Sequence, residues 1–189
     1  MANYTVILDA CVMYPAPLRS YLLYLTQTGL FRSRWTAQIH DEWTRNLLKN
    51  RPDLDQKKLQ RTRDLMDAHF PDCLIEGYEP IIDNLQLPDV DDRHVLAAAI
   101  RGQAEAIITF NLKDFPANIL EPFGIQAIHP DEFLSDMYEL KPSDAIKAAQ
   151  HHRASLKNPS LNADEYLDCL QRQRLPNFVS QLRQLSVIL

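Results

Sequence analysis

Acidic side chains at four places in the sequence are the residues best suited to chemistry: Asp9, Glu42, the aspartates of "LPDVDD", and Asp114 in "ITFNLKD". Two carboxylates about 4 Å apart repel by roughly 4 kcal/mol at an effective dielectric of 20, so a site that gathers several either takes up protons or binds a cation. Oxygen ligands without a cysteine or histidine cluster select Mg²⁺ or Mn²⁺. Such a site suits phosphodiester hydrolysis, in which the metal activates water and offsets charge on the leaving oxygen.

Asp9 follows the apolar run "VIL", which predicts a strand buried on both faces at the centre of a parallel sheet. The carboxyl ends of such strands are where open α/β folds bind ligands. The alternative is that Asp9 caps the next helix. Because Pro15 and Pro17 delay that helix, which we expect from about Pro17 to Gly29, Asp9 is predicted to lie too far upstream to cap it.

The rest of the first 140 residues alternates helices and strands. Thr36 is the expected N-cap of a helix that carries Glu42, and another helix is expected from about Asp53 to His69. "CLIEGY", "AEAIITF" and "GIQAIHP" are predicted strands, and "DRHVLAAAIRGQ" is a predicted Ala-rich helix that ends near Gly102. This alternation predicts an α/β fold, a three-layer α/β/α sandwich with a central, mainly parallel sheet.

The pattern changes at Pro142, where three helical segments begin that are separated by "KNPSL" and "RLPN". We therefore expect a domain of residues 1–140 and a helical C-terminal extension of residues 141–189. The 189 residues and their 46% hydrophobic content are enough to form a proper core.

Charge is unevenly distributed along a chain whose formal net charge is -5. Residues 32–63 hold nine Lys or Arg against four Asp or Glu, whereas residues 72–92 hold seven acids and no Lys or Arg. Residues 32–63, which we call the basic lip, would suit a polyanion, and the acids of residues 72–92 would suit cations bound next to it. Arg45, Asn46 and Lys49 are the candidates for contact with phosphate. The alternative is that these basic residues form a solvated helix face, with Arg45 in a salt bridge.

Several other classes are disfavoured. The three cysteines are far apart and show no spacing typical of a zinc site or a disulfide framework. Phosphatases of the haloacid dehalogenase type need a second Asp two residues after the first, where this chain has Cys11. The four glycines form no phosphate-binding loop. No stretch approaches the roughly 18 apolar residues of a membrane span, and the N-terminus has no signal-peptide pattern, so we expect a cytoplasmic protein.

Four segments, "VILDACV", "IHDEWTRNL", "DVDDRHVLAAAI" and "AIITFNLKDFP", together resemble a known family. Over roughly residues 4–130 the chain resembles PIN-domain ribonucleases, in particular the VapC-type toxins of bacterial toxin-antitoxin systems. The resemblance implies a ribonuclease that depends on Mg²⁺ or Mn²⁺ and cleaves RNA, with tRNA among the candidate substrates. It also implies a protein antitoxin that covers the site and a homodimer packed through helices.

The resemblance also implies roles for individual acids. Asp9 would be the first metal ligand, Glu42 the second and Asp92 the third, with Asp91 or Asp89 as less favoured occupants of the third place. For any one of these aspartates, a favourable interaction with the helix dipole is the structural alternative.

The family's fourth acid is replaced here by Asn111. Asp114 is the nearest acid and is the candidate to take its place among the catalytic residues. This departure predicts a site that holds one ion firmly, with a second ion arriving together with RNA. Thr109, which closes the preceding strand, would help to position water, although a threonine at that place is more often structural.

The alternative function is a non-catalytic PIN-like module that binds RNA or a partner without cleaving it, and Asn111 motivates it. Histidines are assigned no chemistry: His94 is expected to pack at the surface, and His151 and His152 are expected to be solvated.

Overall fold

The computed structural model describes residues 4–185, 187 and 189, which divide into two compact units. The sheet unit comprises Tyr4–Tyr14 and Arg32–Ile128. The helical unit comprises Pro15–Phe31 and the described residues of His129–Leu189. No helix among the described residues is both long and apolar enough to span a membrane.

The sheet unit is built on four parallel strands in the order β2-β1-β3-β4. The strands are β1 (Thr5–Leu8), β2 (Arg32–Arg34), β3 (Ala106–Ile108) and β4 (Gln126–Ile128). The helices of this unit are α1 (Ala10–Met13), α3 (Ala37–Asn50), α4 (Gln56–His69), α5 (Glu79–Ile82), α6 (Arg93–Arg101) and α7 (Ala117–Leu120), while α2 (Ala16–Thr26) belongs to the helical unit. The predicted α/β fold with a parallel sheet is confirmed.

Strand β1 lies between two neighbours, and all four of its residues are buried. This confirms the prediction from its apolar sequence, because a central parallel strand is covered on both faces. Its register with β3 pairs Leu8 with Ile108, so the residues that follow, Asp9 and Thr109, emerge side by side at the carboxyl edge of the sheet.

The predicted strand "CLIEGY" is wrong. Only Leu74 pairs there, in an isolated parallel bridge with Trp35. Residues Pro71–Cys73 form a 3-10 helix, and Gly77 turns the chain with a φ of 72°, so little extended backbone is left between them. The edge strand is instead β2, which has a polar sequence and does not show the apolar pattern of a buried strand.

Asp9 does not cap the helix expected from about Pro17, as predicted, but it caps another helix that the sequence did not indicate. The one-turn helix α1 begins immediately after it, and the Asp9 side chain accepts a hydrogen bond from the Ala10 N–H. The expected helix from about Pro17 is the separate helix α2, which starts two residues after Tyr14. Asp9 is therefore both a cap and an acid at the sheet edge.

Other helices of the sheet unit follow the sequence closely. Thr36 caps α3 by accepting from the Ile39 N–H, as predicted. Helix α6 ends before Gly102, where an added Cβ would lie 2.4 Å from the end of the Ile75 side chain, so any other residue would force that side chain to shift.

The helical unit consists of α2, α8 (Pro130–Leu140), α9 (Pro142–Ser155), α10 (Ala163–Gln171) and α11 (Pro176–Arg183). The three helical segments expected after Pro142 are present as α9 to α11, with Ser186 and Ile188 outside the described residues. Asp131 of α8 ties this unit together, because it is buried and accepts hydrogen bonds from the Asn177 and Phe178 N–H groups at the start of α11. The boundary between residues 140 and 141 stays a prediction.

The expectation for the paired histidines of α9 holds for one of them. His151 is exposed, but His152 is 1% exposed, and its Nδ1 lies 3.1 Å from the Tyr166 hydroxyl. Burial lowers the pKa of His152 to about 4. The polar sequence around His152 concealed this because α2 and α10 supply the aromatic rings of Tyr21, Tyr24 and Tyr166 around it.

Candidate functional site

The carboxylate of Asp9 is fixed at the carboxyl edge of the sheet by three donors. Its Oδ2 accepts from the Thr109 hydroxyl at 2.7 Å and from the Cys11 thiol at 3.1 Å, and its Oδ1 accepts from the Ala10 N–H at 2.6 Å. Burial raises the pKa of Asp9, the three hydrogen bonds lower it, and the charge of Glu42 raises it. Asp9 is thus a rigidly held acid within electrostatic reach of a second one.

Cys11 stands next to this acid but is a poor nucleophile. Its sulfur accepts from the Phe110 N–H at 3.2 Å, and burial followed by the charge of Asp9 raises the pKa of its thiol. Because the thiolate is the reactive form, this environment keeps Cys11 inert. Its place in the site is that of a donor to Asp9, which the sequence did not indicate.

The three aspartates before α6 have different environments. Asp89 accepts from the Asp91 N–H at 2.9 Å and so caps a 3-10 turn, whereas Asp91 is exposed. Asp92 is half-buried, and its side chain makes no capping hydrogen bond with α6. Of the three, Asp92 is therefore the one that is partly buried without a capping role.

Asp92 responds to the other acids. Burial first, and then the charges of Asp9, Asp89, Asp114 and Glu42, raise its pKa to about 7. All these acids are in the sheet unit, and their effect on one carboxyl group places their charges around a common region. The predicted set of Asp9, Glu42, Asp92 and Asp114 is thus electrostatically coupled.

Asn111 and Asp114 are the two candidates for the fourth acid. Asn111 comes just before a 3-10 helix, and Asp114 is the last residue of that helix. Asn111 is exposed, and its N–H donates to the Thr109 hydroxyl oxygen at 3.0 Å. Asp114 is half-buried at the end of the Leu112–Asp114 3-10 helix. Of these two, the acid that acts on Asp92 is Asp114.

Glu42 faces a buried histidine. Its Oε1 lies 2.8 Å from Nε2 of His94, which is 2% exposed. The expectation that His94 packs at the surface is wrong. Residues 94–99 of α6 are all buried, so this helix has no solvated face in that stretch. An apolar composition all round a helix was the sequence signal that could have indicated this.

A cleft of about 520 Å³ opens beside Glu42. Its lining includes two arginines, Arg45 of α3 and Arg93 of α6, together with Glu42, His94 and Asp91. Arg93 is held there by a 3.0 Å hydrogen bond from its Nε to the Val90 carbonyl.

Part of the predicted basic lip is neutralised by ion pairs. Arg63 binds Asp41 at 2.6 Å, and Arg51 binds Asp53 at 2.7 Å. Arg45, Asn46 and Lys49 are exposed on α3, and Arg45 is the member of this trio that lines the cleft.

Within residues 4–185, 187 and 189, no three His, Cys, Asp or Glu side chains are close enough together to hold a metal ion. The donor types nevertheless fit a hard divalent cation, because they are carboxylate oxygens. Burial first, and then the charges of neighbouring acids, raise the pKa of Asp9 and Asp92. A divalent cation would relieve this repulsion. Asp9, Glu42 and Asp92 are the residues whose donor types suit such an ion.

Two family models match parts of this chain. The family model described as "PIN domain" matches residues 5–113, and the one described as "VapC50 C-terminal domain" matches residues 130–184. The curated protein "Putative ribonuclease VapC50" of Mycobacterium tuberculosis is 43% identical over 95 residues, which cover 50% of this chain and 55% of that protein. The match thus spans about half the length of this relative. No solved structure matches the chain significantly.

The PIN-domain match begins at β1 and ends in the 3-10 helix that contains Asp114. It includes every acid of the coupled set except Asp114 itself, and it extends over more than half of the chain. The resemblance indicated by the four sequence segments is therefore confirmed, and the chain belongs to the PIN domain family.

Proposed function

We propose that this protein is a metal-dependent endoribonuclease that hydrolyses RNA phosphodiester bonds. The single observation that carries the proposal is the position of Asp9, which is buried at the carboxyl edge of the sheet, held there by the Thr109 hydroxyl at 2.7 Å, and near enough to Glu42 and Asp92 for their charges to interact. Such a cluster destabilises a protein unless it takes up a proton or binds a cation. Membership of the PIN domain family and the name of the curated relative, a ribonuclease, support the choice of reaction.

In this proposal Asp9, Glu42 and Asp92 hold Mg²⁺ or Mn²⁺, and Asp114 completes the catalytic set. Asp91 and Asn111 are secondary candidates for metal contact. The ion would supply a lowered pKa for the attacking water and positive charge for the leaving oxygen. The contribution of Thr109 is to hold the Asp9 carboxylate in one orientation.

RNA would approach over the cleft beside Glu42. Arg45 and Arg93 line it, and an arginine fork matches a phosphate group. Asn46 and Lys49 on the exposed side of α3 would extend this contact. A polyanionic substrate next to a bound metal needs cationic side chains for its phosphates and carboxylates for the metal. The arginines of the cleft would supply the first, and the acids near Glu42 the second.

We further propose that the protein is the toxin of a toxin-antitoxin pair that acts in the cytoplasm as a homodimer, with a protein antitoxin as its partner and tRNA as a candidate substrate. The family match described as "VapC50 C-terminal domain" supports the VapC-type assignment on which this proposal rests. Coexpression with the product of the adjacent reading frame tests it, since an antitoxin should copurify and suppress cleavage.

Cleavage of a pool of tRNA and structured RNA tests the reaction itself. Wild type and Asp9→Asn are compared with Mn²⁺, with Mg²⁺ and with a chelator. We expect cutting by the wild type that needs a divalent metal and that Asp9→Asn loses. Cutting that persists in chelator, or equal cutting by the two proteins, would contradict the proposal.

The second candidate function is a PIN-like module that binds RNA or a partner without cleaving it. The replacement of the fourth acid by Asn111 favours it. If wild type and Asp9→Asn both leave RNA intact with added metal yet bind it equally, this second function is the correct one.

A further inference from the structure

Among the described residues, the His94 ring makes one polar contact, and that contact is with a proposed metal ligand. Its Nε2 lies 2.8 Å from Oε1 of Glu42. Its Nδ1 is buried and has no hydrogen-bond partner within the part of the chain that the structure describes. The ring is 2% exposed.

The chemistry of the pair fixes which atom carries the hydrogen. A carboxylate oxygen only accepts, so Nε2 of His94 donates to Oε1 of Glu42. This bond occupies one oxygen of the carboxylate and leaves the other, Oε2, for a second ligand. It also restrains the Glu42 side chain, which is 19% exposed at the rim of the cleft.

A second buried histidine of the sheet unit shows what a structural role looks like. Both ring nitrogens of His40 have partners, since Nε2 lies 3.1 Å from Asp67 and Nδ1 accepts from the Trp43 indole at 2.9 Å. An unsatisfied buried nitrogen costs free energy that an apolar side chain would avoid. Beside Val95 and Leu96, both fully buried, a leucine would meet the packing requirement at position 94.

We propose that His94 is a positioning residue that holds the Glu42 carboxylate ready to bind a divalent metal. The inference rests on the proposed function, because it gives Glu42 the role of a metal ligand. Partners that orient a ligand in this way typically change metal affinity by 10- to 100-fold when they are removed.

Binding of Mn²⁺ alone to the purified full chain tests this, measured by calorimetry and by the paramagnetic resonance signal of free Mn²⁺. His94→Leu removes the donor and keeps an apolar volume, and we expect it to raise the Kd for Mn²⁺ about tenfold or more. His94→Gln keeps a donor at about the place of Nε2 and should restore most of the affinity. His94→Asn, whose amide stops short of Glu42, should bind as weakly as His94→Leu and replaces it if the leucine variant does not fold.

Leu96→Ala in the same helix is the control for lost packing, and it should lower the melting temperature with little change in Kd. If His94→Leu, or His94→Asn in its place, binds Mn²⁺ as tightly as the wild type, the positioning role is wrong while the proposed function stands. The positioning role is also wrong if His94→Gln fails to restore affinity, or if Leu96→Ala weakens binding equally. If the wild type binds no Mn²⁺, the metal-dependent function itself fails, and the inference fails with it.

Discussion

The Thr109 hydroxyl donates a 2.7 Å hydrogen bond to Oδ2 of Asp9 across the pair of strands β1 and β3. Both residues are buried, at 0% and 4% exposure, so the bond joins the ends of two neighbouring strands in a place that water hardly reaches. Its loss would leave a buried carboxylate with one donor fewer.

Thr109→Val removes this donor while keeping the shape of the side chain. We expect the free energy of unfolding to fall by about 1–3 kcal/mol, because a hydrogen bond to a buried charged group is lost, and RNA cleavage to fall with it. Urea unfolding and the cleavage assay measure the two effects. Thr109→Ser keeps the hydroxyl and should remain close to wild type in cleavage. A valine variant that matches wild type in both measurements would contradict this prediction.

Asp92→Asn should stabilise the metal-free protein above neutral pH. The carboxyl of Asp92 has a pKa of about 7 in the native state against 3.8 unfolded, so the native state binds the proton more tightly. Wild type therefore loses stability as pH rises from about 4 to 7, whereas an asparagine carries no charge to be repelled. Because Asp92 is partly hydrated, we expect Asp92→Asn to raise the free energy of unfolding by only about 1–2 kcal/mol.

The measurement is urea unfolding in chelator near pH 8 and near pH 4, where the gain should vanish. Asp91→Asn, at the exposed neighbour, is the matched control and should give no such gain. Reduced stability of Asp92→Asn near pH 8 would show that the carboxylate is not strained by its neighbours.

His152 should make the helical unit sensitive to acid. Its pKa is about 4 in the native state against 6.5 unfolded, so the unfolded chain binds the proton more tightly. The stability that the neutral ring contributes is complete above 6.5 and is lost as pH falls from 6.5 toward 4, by up to about 3 kcal/mol. Urea unfolding across this range should show a shallower decline for His152→Gln than for wild type.

The exposed neighbour His151 provides the control, since His151→Gln should follow wild type throughout. A decline of His152→Gln parallel to that of the wild type would mean that His152 does not control acid sensitivity.

Replacement of Arg45 and Lys49 by glutamine should weaken RNA binding and flatten its salt dependence. Each cation that neutralises a phosphate releases a counterion, so we expect the slope of log affinity against log salt to decrease by about 1 to 2 in magnitude. Binding is measured in chelator to prevent cleavage. Arg51→Gln is the control, because Arg51 is already paired with Asp53. An unchanged slope in the double variant would show that Arg45 and Lys49 do not contact RNA phosphates.

Some of the fold follows from local pattern. The apolar run before Asp9 specified a central strand, Thr36 specified the start of α3, and the Ala-rich segment ending at Gly102 specified α6. These features depend on periodicity, caps and chain breakers, which act within a few residues. The types of the acids also predicted the class of chemistry, because hard oxygen ligands suit only certain cations.

The sequence could not separate the roles of neighbouring acids. In the "DVDD" segment, whether each carboxylate caps a turn, faces solvent or meets other acids depends on contacts with distant elements. The fold made Asp89 a cap, left Asp91 exposed and set Asp92 among the charges of Asp9, Asp114 and Glu42.

By itself, then, the sequence determined a PIN-like α/β fold, and it predicted an acidic site of the kind that binds divalent metal. The tertiary structure decided that a polar segment forms the edge strand β2, that Asp9 also caps α1, and that His94 is buried against Glu42. The physical reason is the same in each case. Pairing with a distant strand and burial by other helices are set by residues far apart in the chain, and no local pattern encodes which partner covers a given side chain.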